Sequence, residues 1–248
     1  MCGLPKPLVK AHVIPEAFFR PLREGPHAPK IYSAGIKPPQ KSPIGIYDET
    51  ILCQNCETKF DAIDSYGTHV FLSGFEHHFS LVKHTSDLLT FESETVDQER
   101  LLRFLVAVLW RASVSTHTFY GAVKLGPLED QAIATIESPQ HPIPLYFGAI
   151  LARWVSTPDF EDAAKSIGNP IITRIDGAKV YRFHLGNVVA LVKASNAPFR
   201  GSNAKLCVCA QDKLFVLGPH FESSGTLWSM INTARASAAV YPQKSPKR

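Results

Sequence analysis

The first 66 residues are too rich in proline for long helices or strands to run through them. Pro26, Pro29, Pro38 and Pro39 fall within 21–42, and each removes a backbone donor and restricts the residue before it. We therefore expect a loop over 21–42. A segment this irregular buries little apolar surface, so we expect an internal metal ion to stabilise it.

The cysteines of this segment are the candidate ligands for that metal. Cys53 and Cys56 have the two-residue gap that is typical of zinc-binding thiolates, and Cys2 is the candidate third ligand. The fourth ligand is absent or is one of three histidines: His69, His77 and His78. The alternative interpretation is a zinc-free remnant. Five cysteines in a chain of cytosolic composition argue against a disulfide framework.

Two short strands and a helix are predicted around these cysteines. Apolar patterning favours strands over 8–14 and 44–52, on either side of the loop. The helix is predicted to begin at Cys56 or Glu57 and to end near Gly67, because glycine is common just after a helix C-terminus. The order of these elements is ββα.

This small unit contains the residue types that phosphodiester hydrolysis requires. His12 lies just before the turn at Pro15 and is the candidate general base. Glu57, Asp61 and Asp64 share one face of the predicted helix and are candidate ligands for Mg²⁺ or Mn²⁺. The alternatives are a structural histidine and carboxylates that interact with the helix dipole.

The charge of the chain permits contact with a nucleic acid without requiring it. The formal net charge is +4, and basic residues recur in the N-terminal segment. The candidates for phosphate contact are Lys10, Arg20, Lys59 and Arg111. The alternative for the N-terminal group is a set of solvated loop residues. For Arg111, an anchor at a domain interface is the favoured interpretation.

Residues 67–248 are predicted to form a larger mixed α+β domain after the small unit at 1–66. The clearest helix covers 96–115, where apolar residues recur with helical periodicity. Strands are predicted within 171–193, joined by the turn Asp176-Gly177, and a hairpin over 206–217. Cys207 and Cys209 would then share one face of a strand. No apolar run reaches membrane-spanning length and no signal-peptide pattern is present, so we expect a soluble cytoplasmic protein.

The motif His12-Val-Ile-Pro15, followed by Cys53-x-x-Cys56-Glu57, resembles the HNH, or ββα-metal, endonucleases. The segment 104–115, which contains Trp110-Arg111, is similar to a bacterial branch in which a short nuclease module precedes a larger domain. In that family the motif histidine activates water, so the resemblance gives His12 the role of base. It implies a catalytic Mg²⁺ or Mn²⁺, a structural zinc and DNA as substrate.

The chain also departs from the family pattern at three positions. Ala11 replaces a metal ligand, Glu57 stands where Asn is usual, and Pro5 replaces a cysteine. Three functions are therefore weighed. The first is an HNH-type endonuclease acting on DNA, in defence against phage or mobile elements. The second is a catalytically degenerate zinc module that binds nucleic acid or protein, and the third is a small-molecule sensor. The C-terminal domain is a candidate surface for a protein partner.

Overall fold

The N-terminal segment folds as short strand pairs around a turn of helix. The computed structural model describes residues 7–23, 30–31, 40–41, 45–85 and 88–240. Its first four strands are β1 (Ala11–His12), β2 (Lys30–Ile31), β3 (Gln40–Lys41) and β4 (Tyr47–Asp48). β1 pairs with β4 and β2 with β3, both antiparallel, and a 3₁₀ helix, Glu16–Arg23, follows β1. The strands predicted over 8–14 and 44–52 are therefore present but shorter.

A helical segment follows these strands. It consists of α1 (Gln54–Glu57), α2 (Asp61–Thr68), a π-helix (His69–Ser73) and α3 (Phe75–His78). The single helix predicted from Cys56 or Glu57 to Gly67 is wrong in its start, its continuity and its end, because residues 58–60 separate one helix that contains Glu57 from a second that contains Asp61 and Asp64. The prediction that Gly67 ends the helix is wrong, because Gly67 lies inside α2. A Cβ at Gly67 would lie 2.3 Å from the ring of Phe104, so glycine is needed here for close packing.

The remainder of the chain alternates strands and helices. In chain order the elements are β5 (Ser80–His84), β6 (Leu88–Ser93), α4 (Gln98–Val114), α5 (Glu129–Glu137), β7 (Phe147–Arg153), α6 (Glu161–Ala164), β8 (Ile171–Ile175), β9 (Ala178–Leu185), β10 (Val188–Ala194), α7 (Gly201–Leu206), β11 (Leu214–Pro219) and α8 (Gly225–Val240). Three short 3₁₀ helices, Thr118–Tyr120, Gly126–Leu128 and Pro158–Phe160, lie between them. The mixed α+β class predicted from the sequence is confirmed.

Seven of these strands form one sheet in the order β5-β6-β11-β7-β10-β9-β8. All neighbours are antiparallel except β11 and β7. The predicted strands within 171–193 are confirmed, with Asp176 and Gly177 in the left-handed conformation that a tight turn requires. The predicted hairpin over 206–217 is wrong. α7 ends at Leu206, and Cys209 has φ +67, which a strand does not allow.

Helix α4 is the centre of the core and agrees with the helix predicted over 96–115. Asp97 caps its N-terminus by accepting a hydrogen bond from the Arg100 N–H, and residues 101–113 are all buried. One continuous apolar cluster contains Ala11, Phe60 and Phe104 together with residues of the sheet. This cluster includes residues on both sides of the predicted boundary after residue 66. In the part of the chain described, no helix is both long and apolar enough to cross a bilayer.

Candidate active site

Asp48 anchors β4, the strand that pairs with β1 and its His12, to the C-terminal end of α4. β1 and β4 pair Ala11 with Asp48 and His12 with Tyr47. The buried Asp48 carboxylate accepts hydrogen bonds from the Ser115 hydroxyl and the Thr116 N–H, both at 2.7 Å, and from Thr50. Burial raises the pKa of Asp48, but the bonds from Thr50 and Ser115 outweigh it and lower the pKa well below the usual range. The carboxylate therefore stays ionised and fixes β4.

Glu57 meets β1 at His12. The half-buried Glu57 carboxylate accepts a hydrogen bond from the His12 backbone N–H. Its Oε2 atom is buried and has no hydrogen-bond partner among the described residues. Burial raises the pKa of Glu57 above its usual range; Arg111 opposes this shift, and Asp64 and Asp61 add to it. His12 is itself partly buried, with its ring 6.1 Å from that of Tyr47.

Asp64 and Arg111 form a bidentate ion pair beside Glu57. The two terminal nitrogens of Arg111 donate to the two carboxylate oxygens of Asp64, at 2.6 and 2.7 Å. The Arg111 side chain is 1% exposed and that of Asp64 is 19% exposed. The guanidinium also lies over the Phe60 ring at 4.7 Å. Arg111 thus joins α2 to α4, in keeping with the interface interpretation of this residue.

The remaining predicted residues of the site lie at different depths. Asp61 is exposed at the start of α2. Lys10 is exposed, lies over the Tyr47 ring at 5.0 Å and is 3.8 Å from Glu49. Arg20 is exposed, and the Lys59 ammonium donates to Glu137 at 2.7 Å. Lys10 and Arg20 are therefore the predicted basic residues that remain most open to a phosphate.

The predicted zinc site is represented by two thiols. Cys53 and Cys56 are buried and form no disulfide, and Cys53 pairs with Leu8 in an isolated bridge. Cys2 lies outside the described residues. Within those residues, no group of three or more His, Cys, Asp or Glu side chains has the geometry to hold a metal ion. The zinc ion therefore stays a prediction.

The histidines considered as a fourth zinc ligand lie close to one another. The ring of His78 is 5.5 Å from that of His69 and 5.3 Å from that of His77, measured between centroids. The Nδ1 atoms of His69 and His78 form hydrogen bonds with the hydroxyls of Ser73 and Thr95. Burial, followed by the positive charges of His69 and His77, lowers the pKa of His78.

Two residues of this region, Asp48 and Tyr120, were not predicted from the sequence. Asp48 has a local signal, since an Asp two residues before a threonine favours an Asx turn. Its long-range partners at the end of α4 have no such signal. Tyr120 is fully buried near Arg111, and burial raises the pKa of its hydroxyl far above the usual range. Tyr120 therefore contributes a neutral polar group next to the ion pair.

Comparisons with family models, curated proteins and solved structures find no match to this chain.

Proposed function

We propose that the unit formed by β1, β4 and α1 hydrolyses phosphodiester bonds of DNA in a metal-dependent reaction of HNH type. His12 is the general base and Glu57 is the principal ligand of one Mg²⁺ or Mn²⁺ ion. The observation that carries the proposal is the Oε2 atom of Glu57, which is buried without a hydrogen-bond partner among the described residues. A buried, unsatisfied carboxylate oxygen is costly for stability, and a catalytic role or a bound ion is among the explanations for such an atom.

The residues present fit a hard cation in part. Glu57 offers a free carboxylate oxygen, and Asp61 is close enough to influence its charge. Asp64 does not fit, since Arg111 engages both of its oxygens. The bound cation would stabilise the negative charge that develops on the phosphate during hydrolysis. We assign Glu57 and Asp61 to this cation, and Asp64 to the structure.

The chain's own groups supply the other requirements of the reaction. His12 accepts a proton from water, and its backbone is held by the pairing of β1 with β4 and by the hydrogen bond to Glu57. Lys10, directly before β1, and Arg20, in the 3₁₀ helix that follows it, are exposed and bind the flanking phosphates. Asp48 keeps β4 in register, so it positions His12 without contacting the substrate.

The test is nicking of supercoiled plasmid in the presence of Mg²⁺ or Mn²⁺. We expect wild type to nick and His12→Ala to lose at least about a hundredfold in rate, as for the loss of a general base. His141→Ala, which alters an exposed histidine in the connection between α5 and β7, is the matched control and should nick like wild type. Equal nicking by His12→Ala would remove His12 from the mechanism.

A second candidate function is a DNA-binding scaffold that has lost catalysis. The ion pair of Asp64 with Arg111 favours the scaffold function. It gives the Asp64 carboxylate a structural role, so this carboxylate is not evidence for a catalytic metal. Ala11, at a family ligand position, is in keeping with this function. A scaffold would retain labelled duplex DNA in a binding assay, would lose it when Lys10 and Arg20 are replaced, and would nick with neither metal.

The biological setting rests on the resemblance alone. An HNH-type enzyme of this branch would act in the cytoplasm against phage or mobile DNA. The seven-stranded sheet and its helices would then bind a partner or extend the DNA-binding surface.

A further inference from the structure

His78 has a buried ring nitrogen that the nuclease proposal does not use. Its Nδ1 atom is 3.0 Å from the Thr95 hydroxyl, whereas Nε2 is buried and has no hydrogen-bond partner among the described residues. When Nδ1 carries the proton and donates to Thr95, Nε2 presents a lone pair. Histidines that bind a metal usually donate the N–H of the other ring nitrogen to a fixed acceptor.

His69 is arranged in the same way on the π-helix. Its Nδ1 atom is 3.1 Å from the Ser73 hydroxyl, four residues later. Its Nε2 atom lies over Gly74, where a Cβ atom would be 2.8 Å away. Because Gly74 has no side chain, the His69 ring can occupy this space. Single-turn π-helices are frequent at functional sites, because the extra residue redirects a side chain.

The two rings are at a separation that suits a shared ion. Their centroids are 5.5 Å apart and their planes meet at 86°. Two imidazoles on one tetrahedral ion, with metal–nitrogen bonds of about 2.0–2.1 Å, have centroids about 5 Å apart. Glu76, on the same short helix as His78, lies 3.6 Å from the Arg153 guanidinium.

We propose that His69 and His78 bind a divalent transition metal through their Nε2 atoms, with water completing the coordination. Imidazole nitrogens favour Zn²⁺, Ni²⁺ and Cu²⁺ over Mg²⁺ or Ca²⁺. Among the described residues no third protein ligand joins them, so the site has open positions. It lies on the π-helix and α3 and does not depend on the nuclease proposal.

Isothermal titration calorimetry with Ni²⁺ tests this site. The full chain is first treated with a chelator to remove bound metal. We expect saturable binding by wild type that weakens at least about tenfold in His69→Ala and in His78→Ala. His69 is exposed, so its variant should fold normally even if His78→Ala does not. The control His141→Ala should bind like wild type. Absence of saturable binding, or unchanged binding by both variants, would overturn the proposal.

Two further variants separate this site from the cysteines. Thr95→Val removes the hydrogen-bond partner of His78 and should weaken Ni²⁺ binding by about 10- to 100-fold. Cys53→Ser should leave the binding unchanged. Binding that is lost in Cys53→Ser and kept in His69→Ala would place the metal at the thiols and contradict the assignment.

Discussion

Glu57 and Asp64 follow each other closely in sequence, yet their charges are compensated in different ways. Asp64 receives two short hydrogen bonds from the buried Arg111. Glu57 receives one from a backbone N–H and keeps a buried oxygen without a partner. The helix face that looked like one acidic cluster in the sequence is thus divided between a structural carboxylate and a candidate metal ligand.

The ion pair makes α2 depend on α4, and this dependence can be measured. Arg111→Met leaves the Asp64 carboxylate partly buried beside Glu57 without its partner, and we expect a loss of about 3 kcal/mol in the free energy of unfolding. The double variant Asp64→Leu, Arg111→Met should recover most of that loss. Denaturant unfolding of the two single variants and the double variant gives the coupling energy. Additive losses would contradict a direct interaction.

The Glu57 carboxylate should reduce stability at neutral pH in the metal-free protein. Its folded pKa is raised above 4.5, so its contribution is fully favourable below that pH and is lost as the pH rises through the folded value. Glu57→Gln should therefore be more stable than wild type at neutral pH. The gain should vanish below pH 4.5. Thermal unfolding in chelator across this range checks the sign, and Glu49→Gln, an exposed carboxylate, is the control.

At the scale of the elements, local patterns predicted what local forces determine. The apolar periodicity of α4 and the Asp176-Gly177 turn were both predicted, because each is encoded within one stretch of chain. The alternating residues around Cys207 predicted a strand. Cys209 instead has a left-handed backbone conformation, which a strand does not allow. The partner of Arg111 is 47 residues away in sequence, and no local pattern indicates such a contact.

Gly67 shows the same limit and leads to a direct test. A Cβ at this position would lie 2.3 Å from the Phe104 ring, which is fully buried and cannot move aside. Gly67→Ala should therefore destabilise the protein by about 1–3 kcal/mol, although alanine is the better helix former. Ser65→Ala, an exposed position in the same helix, should change stability little. Stabilisation by Gly67→Ala would show that α2 and α4 are not packed closely.

At the scale of the whole molecule, one core joins the N-terminal unit to the sheet. Ala11 and Phe60 belong to the same apolar cluster as Leu151 and Phe183 of the sheet. His12 and Glu57 are therefore positioned by strands and helices that pack against α4. The packing that holds them depends on contacts across the chain, which no local sequence pattern indicates.

The sheet also contains a group that should make the protein sensitive to acid. Burial, with the positive charge of Arg182, lowers the pKa of His184 from 6.5 to about 4. The unfolded chain then binds more protons than the folded one between these values, so stability is lost as the pH falls from 6.5 towards 4. We expect His184 to account for about 3 kcal/mol of this loss.

Replacement of His184 isolates that contribution. His184→Phe keeps an aromatic ring against Trp154, with which His184 is stacked at 6.3 Å, and removes the titrating group. The free energy of unfolding of this variant should fall less steeply with decreasing pH than that of wild type. An identical pH dependence in the two proteins would show that His184 is solvated or paired when protonated.

The most direct test of the proposed nuclease is the rate of plasmid nicking as a function of Mn²⁺ concentration. Wild type should nick and saturate, and Glu57→Gln should need at least about ten times more Mn²⁺ or lose activity, because it lacks the principal ligand charge. Glu161→Gln, which alters an exposed carboxylate on α6, should follow the wild-type curve. Wild type that does not nick at any Mn²⁺ concentration, or a Glu57→Gln curve that coincides with that of wild type, would contradict the assignment of Glu57 to a catalytic metal.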